Sequence, residues 1–152
     1  MKIIAHRANV NGSNSSTENK LHQIRKCVKF GYDVEIDIRV IKNSIFLGHD
    51  GPEEKITEKE IFELKEICWI HCKNLEAINY FKQFGELYNY FWHENDKFTL
   101  TSKGYIWTYP GELLSENSIC VMPEQSTSIN KLSDLKNKQL AGICTDYPNL
   151  IT

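Results

Sequence analysis

The chain has 152 residues, of which 41% are hydrophobic and 11% aromatic, and a formal net charge of -2. These apolar side chains suffice for one folded core, so we expect a single domain over residues 1–152 and exclude a disordered chain. The charges are mixed along the sequence, which excludes the clustered basic surface of a nucleic-acid-binding protein, and no apolar run approaches the ~20 residues of a membrane span.

The cysteines favour a reducing compartment. There are 5 of them, an odd number, and they lie within apolar segments rather than in loops. The N-terminus enters a strand-like run directly, without the apolar segment that a signal peptide contains. We therefore expect a reduced, cytoplasmic protein that has no stable membrane anchor.

The first elements in chain order are a strand and a helix. A strand is predicted over residues 3–6. Leucine, isoleucine and valine recur at helical spacing over residues 17–30, which predicts a helix there. Ser16 or Thr17 is the expected cap at its start, and Gly31 is expected to end it.

Strict alternation of apolar and polar side chains predicts a strand over residues 33–40. Residues 41–47, broken at Lys42 and Asn43, look like a hairpin extension of this strand. The remaining predicted elements are helices over residues 57–66 and 75–84 and strands over residues 68–73, 88–93, 105–108, 118–122 and 140–144.

Strands separated by helices indicate an α/β fold with mainly parallel strands. Six or seven strands at this spacing predict either a shortened β/α barrel of the TIM type or a strongly curved open sheet. A full barrel of eight units usually takes ~250 residues. We therefore expect some helices to be reduced to turns and the number of units to fall below eight.

Polar side chains concentrate at the ends of the predicted strands. In a parallel β/α fold these ends converge on one mouth, where ligands bind. The side chains concerned are His6, Arg7, Glu35, Asp37, His71, Lys73, His93, Glu94, Thr108, Glu124, Thr145 and Asp146.

Glu35 and Asp37 are the first candidates for a metal site. Their spacing places both carboxylates on one face of a strand, roughly 7 Å apart. Two acids inside a barrel must be paired or must bind a cation, because burying an unpaired charge is costly. Their hard oxygen donors suit Mg²⁺ or Ca²⁺. The alternative is an exposed edge strand whose acidic face is solvated.

His71 and Lys73 share one face of the next strand, which makes them candidates for the surroundings of a phosphate and a metal. The alternative is a salt bridge from this pair to Glu35 or Asp37. His49, taken alone, reads as an ordinary exposed histidine in a loop.

Several short motifs, taken together, resemble the signatures of the glycerophosphodiester phosphodiesterases. Each is weak alone, but their order along the chain is specific. They are Ile-Ala-His6-Arg7, Glu18-Asn19, Glu35-Ile-Asp37, His49-Asp50, Trp107-Thr108 and the closing Gly142-Ile-Cys-Thr145-Asp146-Tyr147-Pro148.

The resemblance implies a β/α barrel that cleaves a small-molecule phosphodiester with a divalent metal cation, Mg²⁺, Ca²⁺, Mn²⁺ or Zn²⁺. The mixed charges already led us to expect no nucleic-acid partner. It implies that His6 and His49 are the general acid and base. A neighbouring hydroxyl of the substrate would attack first, giving a cyclic phosphate. Histidine suits both roles because it titrates near neutral pH.

The resemblance also implies the remaining roles. His71 stands where the family has a glutamate, and histidine favours Zn²⁺ or Mn²⁺ over Ca²⁺. Glu94 or Glu124 could supply a carboxylate instead. The implied metal ligands are Glu18, Glu35, Asp37 and His71, and the implied phosphate or substrate contacts are Arg7, Lys73 and Trp107.

Two other functions are compatible with these residues. One is a barrel that binds a phosphorylated ligand without turnover, and the other is a phosphomonoesterase on the same scaffold. Catalytic histidines at both positions favour the phosphodiesterase, because binding alone needs Arg7 and Lys73 more than an acid and a base.

Overall fold

A sheet of ten strands forms the centre of the computed structural model, which describes residues 1–151. The strands are β1 (Lys2–Ala5), β2 (Asp33–Ile41), β3 (Ser44–Leu47), β4 (Glu54–Ile56), β5 (Cys68–Cys72), β6 (Asn89–Phe91), β7 (Phe98–Leu100), β8 (Ile106–Thr108), β9 (Ser118–Val121) and β10 (Gly142–Thr145). The α-helices are α1 (Leu21–Lys29), α2 (Glu58–Glu63) and α3 (Leu75–Lys82), and the 3₁₀ segments are His6–Ala8, Pro123–Gln125, Ile129–Asn137 and Pro148–Leu150.

Most of the strand pairings are parallel. They join the strands in the order β6-β5-β2-β1-β10-β9-β8. Three pairings are antiparallel. The strand β3 pairs with the second half of β2, β4 pairs with β3, and β7 pairs with β8. The mainly parallel α/β fold is thus confirmed. Apart from the β3–β4 extension, the two ends of the sheet are β6 and β7. Within residues 1–151 no ladder joins them, so the sheet is open there and closure of the predicted barrel is not observed.

The inner face of the sheet is filled by aromatic side chains. Trp69 of β5, Phe91 of β6 and Trp107 of β8 are all buried. The rings of Phe91 in β6 and Trp107 in β8 lie 4.5 Å apart across the interior. The backbone N–H of Ser102 also donates to the carbonyl of Tyr90 at 2.8 Å. The sheet is therefore strongly curved, and packed side chains span the opening.

The outer face of β2 is covered by helices. Val34, Ile36 and Ile38 are fully buried and belong to one core with Ile24 of α1 and Phe81 of α3. Each such side chain contributes about 1.5–3 kcal/mol by leaving water. The predicted alternation along this strand is confirmed, because its apolar residues face the helices and its acids face the interior.

The first helix begins later than predicted. It starts at Leu21 and not at residue 17, and no side chain caps it. Asn19 has a left-handed backbone (φ 52°) and Lys20 is extended, so the chain leaves the helical conformation just before Leu21. Ser16 and Thr17 lie in turns, and their predicted capping role is wrong. The helix stops before Gly31, whose φ is +81°, as predicted.

Two short strands of three residues each, β4 and β7, were not predicted. The hairpin between β2 and β3 is confirmed. Its turn residues Lys42 and Asn43 both have positive φ, which matches the twist of a two-residue hairpin. Among residues 1–151, no helix has both the length and the apolar character required to cross a bilayer.

Candidate functional site

A cavity of about 360 Å³ lies at the carboxyl ends of the parallel strands. Most of the predicted site residues line it, while Glu18 stands outside it, behind Arg7. The predicted residues at the cavity are His6, Arg7, Glu35, Asp37, His49, His71, Lys73 and Trp107.

Glu35 and Asp37 lie on the inner face of β2 and are 2% and 0% exposed. Their strand is paired with β1 on one side and with β5 on the other. The alternative of a solvated edge strand is therefore wrong. Two buried carboxylates need compensating donors or cations, and their neighbours supply them.

The side chain of Asn19 makes two hydrogen bonds to Asp37. Its Nδ2 donates to Asp37 Oδ2 at 2.9 Å, and its Oδ1 accepts from the Asp37 backbone N–H at 2.9 Å. Burial alone would raise the pKa of Asp37, but the interaction with His71, the charge of Arg7 and the Asn19 amide outweigh it. The pKa is therefore held well below its ordinary value, and Asp37 is ionised.

Arg7 connects the acids of the site. It has a left-handed backbone (φ 49°, ψ 29°), which directs its N–H to Glu35 Oε2 at 3.0 Å. Its guanidinium lies 3.3 Å from Asp37 Oδ2 and 3.3 Å from Glu18 Oε2. Strained backbone of this kind concentrates at functional sites. Glu18 thus orients Arg7 and does not face the cavity itself.

His6 is oriented by an acid from the far end of the chain. Its Nδ1 donates to Asp146 Oδ1 at 2.8 Å, so its Nε2 faces Glu35 at 4.0 Å. Burial alone would lower the pKa of His6, but the hydrogen bond to Asp146 and the charge of Glu35 outweigh it and raise the pKa above its ordinary value. A fixed tautomer with Nε2 free is what proton transfer at the cavity requires.

His49 lies in the loop between β3 and β4. Its Nδ1 donates to Asp50 at 2.7 Å, and its carbonyl accepts from Arg39 Nη2 at 2.7 Å. The loop starts at Gly48, with φ +142°, where a Cβ would collide with the carbonyl oxygen of Gly51. Only glycine suits that turn. His49 therefore reaches the cavity from a supported loop, although it is more exposed than His6.

His71 lies beside both acids. Its Nδ1 is 3.1 Å from Asp37 Oδ1 and 3.7 Å from Glu35 Oε1, so the salt bridge considered as the alternative is present for His71. Its Nε2 donates to the carbonyl of His93 at 2.8 Å. Burial alone would lower the pKa of His71, but the interactions with Asp37 and Glu35 raise it to about 9.

These three residues fit a metal ion. Glu35, Asp37 and His71 each offer a ligand atom, and the atoms all lie within 4.8 Å of one another. Asp37 Oδ1 is buried, and it is ion-paired with His71 Nδ1 at 3.1 Å. A cation between the three ligand atoms could take the place of the proton in that pair.

Of the other predicted site residues, some line the cavity and one supports it from behind. Lys73 lines the cavity, and Trp107 does so while remaining 4% exposed within the inner core. Glu94 is exposed at the rim of the cavity. Glu124 accepts hydrogen bonds from the Thr145 hydroxyl and the Asp146 N–H, and it is not part of the metal-ligand group. It supports Asp146 instead.

Sequence reasoning missed the roles of three supporting residues. Asp146 was expected at a strand end, but not as the partner of His6. Asn9 donates to both Asp146 and Glu18, and Asn19 holds Asp37. The signal for Asp146 was its place after the last strand, whereas nothing local distinguishes Asn9.

Comparison with known proteins finds no matching family model and no matching curated protein. Among solved structures, the chain is similar to the crystal structure of "a putative glycerophosphodiester phosphodiesterase from Galdieria sulphuraria". The two share 14% sequence identity over 99% of this chain and 95% of the other, with a TM-score of 0.46. A likeness this distant does not assign the chain to a family.

The arrangement combines two kinds of chemistry. Three residues could hold a cation, and two histidines whose Nδ1 atoms are hydrogen-bonded to aspartates line the same cavity. Positive charge near a reacting anion lowers the barrier to attack on it, and paired histidines can move protons to and from the reacting atoms.

Proposed function

We propose that this protein is a metal-dependent phosphodiester hydrolase acting on a small molecule similar to a glycerophosphodiester. His6 and His49 are the general acid and base, and Glu35, Asp37 and His71 hold a divalent cation. The observation that carries the proposal is that both histidines line one cavity with the cation ligands, each through a ring whose Nδ1 is hydrogen-bonded to an aspartate.

The cavity suits a compact anion. The cation, when bound, supplies positive charge beside a phosphate oxygen. Arg7 and Lys73 line the same cavity and add positive charge, so a phosphodiester placed there is surrounded by groups that neutralise it. The size of the cavity, about 360 Å³, favours a small ligand over a polymer.

The two histidines account for the proton transfers. One takes the proton of the attacking hydroxyl or water as the new P–O bond forms. The other gives its proton to the leaving alkoxide as the old P–O bond breaks, so the charges balance without a covalent enzyme intermediate. Nε2 is the reactive nitrogen of His6, because Asp146 occupies Nδ1.

The test is hydrolysis of bis(p-nitrophenyl) phosphate and of glycerophosphocholine by the purified protein. Mg²⁺, Ca²⁺, Mn²⁺ or Zn²⁺ is added singly, with EDTA as the metal-free condition. We expect turnover that depends on the cation and that is lost in His6→Ala and in His49→Ala. His22→Ala is the matched control, because His22 lies exposed on α1 and should leave turnover unchanged.

Each result distinguishes the functions that the residues allow. Turnover that persists in excess EDTA would remove the cation from the reaction. Binding of glycerol 3-phosphate without turnover of either diester would indicate a phospho-ligand-binding protein. Cleavage of p-nitrophenyl phosphate in preference to the diester would indicate a phosphomonoesterase.

A further inference from the structure

We infer that the cation site of this protein selects a transition-metal ion, of the class Mn²⁺, Co²⁺ or Zn²⁺, over Mg²⁺ and Ca²⁺. This inference deepens the proposed function and concerns the same site. It rests on the donor chemistry of His71 and on the orientation of its ring, and only the structure shows that orientation.

The hydrogen bond at Nε2 decides what the other ring nitrogen offers. The carbonyl oxygen of His93 can only accept, so the Nε2 atom of His71, 2.8 Å away, must carry the proton. In the neutral ring, Nδ1 then presents its lone pair toward Asp37 and Glu35. In the usual metal-binding histidine, one ring nitrogen donates its N–H to a carbonyl or carboxylate and the other nitrogen binds the metal.

A positive charge lies between Nδ1 and the two acids. Nδ1 is 3.1 Å from Asp37 Oδ1 and 3.7 Å from Glu35 Oε1, so either the Nδ1 proton of a charged His71 ring or a metal ion must lie between these atoms. Asp37 is 0% exposed, and its Oδ1 faces His71 Nδ1 as its ion-pair partner. A metal ion that displaces the Nδ1 proton would join this buried oxygen to the nitrogen lone pair.

The donor set determines the preference. Mg²⁺ and Ca²⁺ take oxygen ligands almost exclusively, whereas imidazole suits first-row transition ions and zinc. Two carboxylates with one imidazole nitrogen therefore favour the transition ions. The ring of Phe91 stacks on that of His71 with 5.0 Å between the ring centres, so the His71 ring is held in place.

The test is equilibrium binding of single ions to the metal-stripped protein, measured by calorimetry for Co²⁺, Mg²⁺ and Ca²⁺. Visible absorption of bound Co²⁺ provides a second readout of its ligands. The variants are His71→Glu, which replaces nitrogen by oxygen, and His71→Asn, which places an amide oxygen near the Nδ1 position. His22→Glu is the matched control, since His22 is exposed on α1.

We expect the wild type to bind Co²⁺ more tightly than Mg²⁺ or Ca²⁺. Replacing the nitrogen ligand should shrink that preference about tenfold or more and change the Co²⁺ spectrum. His22→Glu should leave both unchanged. Equal affinities for Co²⁺ and Mg²⁺ in the wild type would overturn the inference. So would a preference that neither folded His71 variant alters, or the absence of any ion binding.

The outcome is separable from that of the proposed function. If the ions bind with this preference and no diester is hydrolysed, the metal assignment stands and the hydrolase proposal fails. If the diesters are hydrolysed best with Mg²⁺ and the His71 variants keep the wild-type preference, the hydrolase proposal stands and the metal assignment fails.

Discussion

Two aspartates hold the Nδ1 atoms of His6 and His49 at nearly equal distances, 2.8 and 2.7 Å, but their surroundings differ. The side chain of Asp146 is 8% exposed and that of Asp50 is 94% exposed. Because water screens the exposed pair, we expect Asp146→Asn to perturb its histidine much more than Asp50→Asn does.

The size of the effect follows from the hydrogen bond. A buried bond to a charged group contributes about 1.5–3 kcal/mol and a neutral one about 0.5–1.5 kcal/mol. The substitution Asp146→Asn should therefore lower the free energy of unfolding by about 1–1.5 kcal/mol while His6 is protonated. If the bond acts in the transition state as well, kcat falls about tenfold.

The sign of the pH dependence is set by His6. Asp146 raises the pKa of His6, so its contribution to stability is fully present below the ordinary histidine pKa of ~6.5 and is lost as the pH rises through the folded-state pKa. Urea unfolding should thus show a larger loss of stability for Asp146→Asn at about pH 5.5 than at about pH 9.

The assay for the pKa itself is NMR titration of the imidazole nitrogens. The pKa of His6 should fall in Asp146→Asn, and the Nδ1 tautomer should no longer be uniquely populated. The reasoning is refuted if the His6 titration is the same in both proteins, or if the loss of stability is equal at both pH values. Asp50→Asn serves as the matched aspartate control.

Three further predictions concern the same site. His49→Ala should lower turnover by about 10²–10⁴-fold with the fold and Co²⁺ affinity unchanged, as checked by steady-state kinetics and calorimetry. Asn19→Ala should lower the free energy of unfolding by about 2–4 kcal/mol, because both buried hydrogen bonds of Asn19 to Asp37 are lost. Urea unfolding measures this loss, and Asn11→Ala, at an exposed position, is the control. Affinity for Mn²⁺ should rise with pH and level off above about 9, because the ion must displace the proton that His71 holds below its raised pKa. Binding titrations at several pH values measure this affinity.

These predictions can fail in separate ways. Normal turnover in His49→Ala would remove that residue from the chemistry. If Asn19→Ala loses no more stability than Asn11→Ala, the two hydrogen bonds of Asn19 to Asp37 contribute little to folding. A Mn²⁺ affinity independent of pH would mean that His71 does not exchange its proton for the ion.

Much of the fold was predictable because its signals are local. The alternation of apolar and polar residues over 33–40 predicted both the strand and the common face of Glu35 and Asp37. Successive side chains of a strand point to opposite faces, so the pattern is read from chain neighbours and needs no distant contact. The start of α1 was mispredicted, because Asn19 bonds to Asp37 of another element rather than to its own helical neighbours.

The closure of the barrel also depends on distant parts of the chain. Short apolar runs indicated the strands. Only the packed structure shows that β6 and β7, the two ends of the sheet, do not pair within residues 1–151 and that Phe91 and Trp107 meet across the interior. Register and closure depend on how the whole sheet twists, which no short window contains.

The candidate site divides in the same way. The residue types and their strand-end positions could be read from the sequence, and these alone suggested His6, Glu35, Asp37 and His71. Which of them touch was decided only by the tertiary structure, since His6 meets Asp146 from 140 residues away. Hydrogen bonds act over about 3 Å, and the sequence specifies neighbours along the chain while folding specifies neighbours in space.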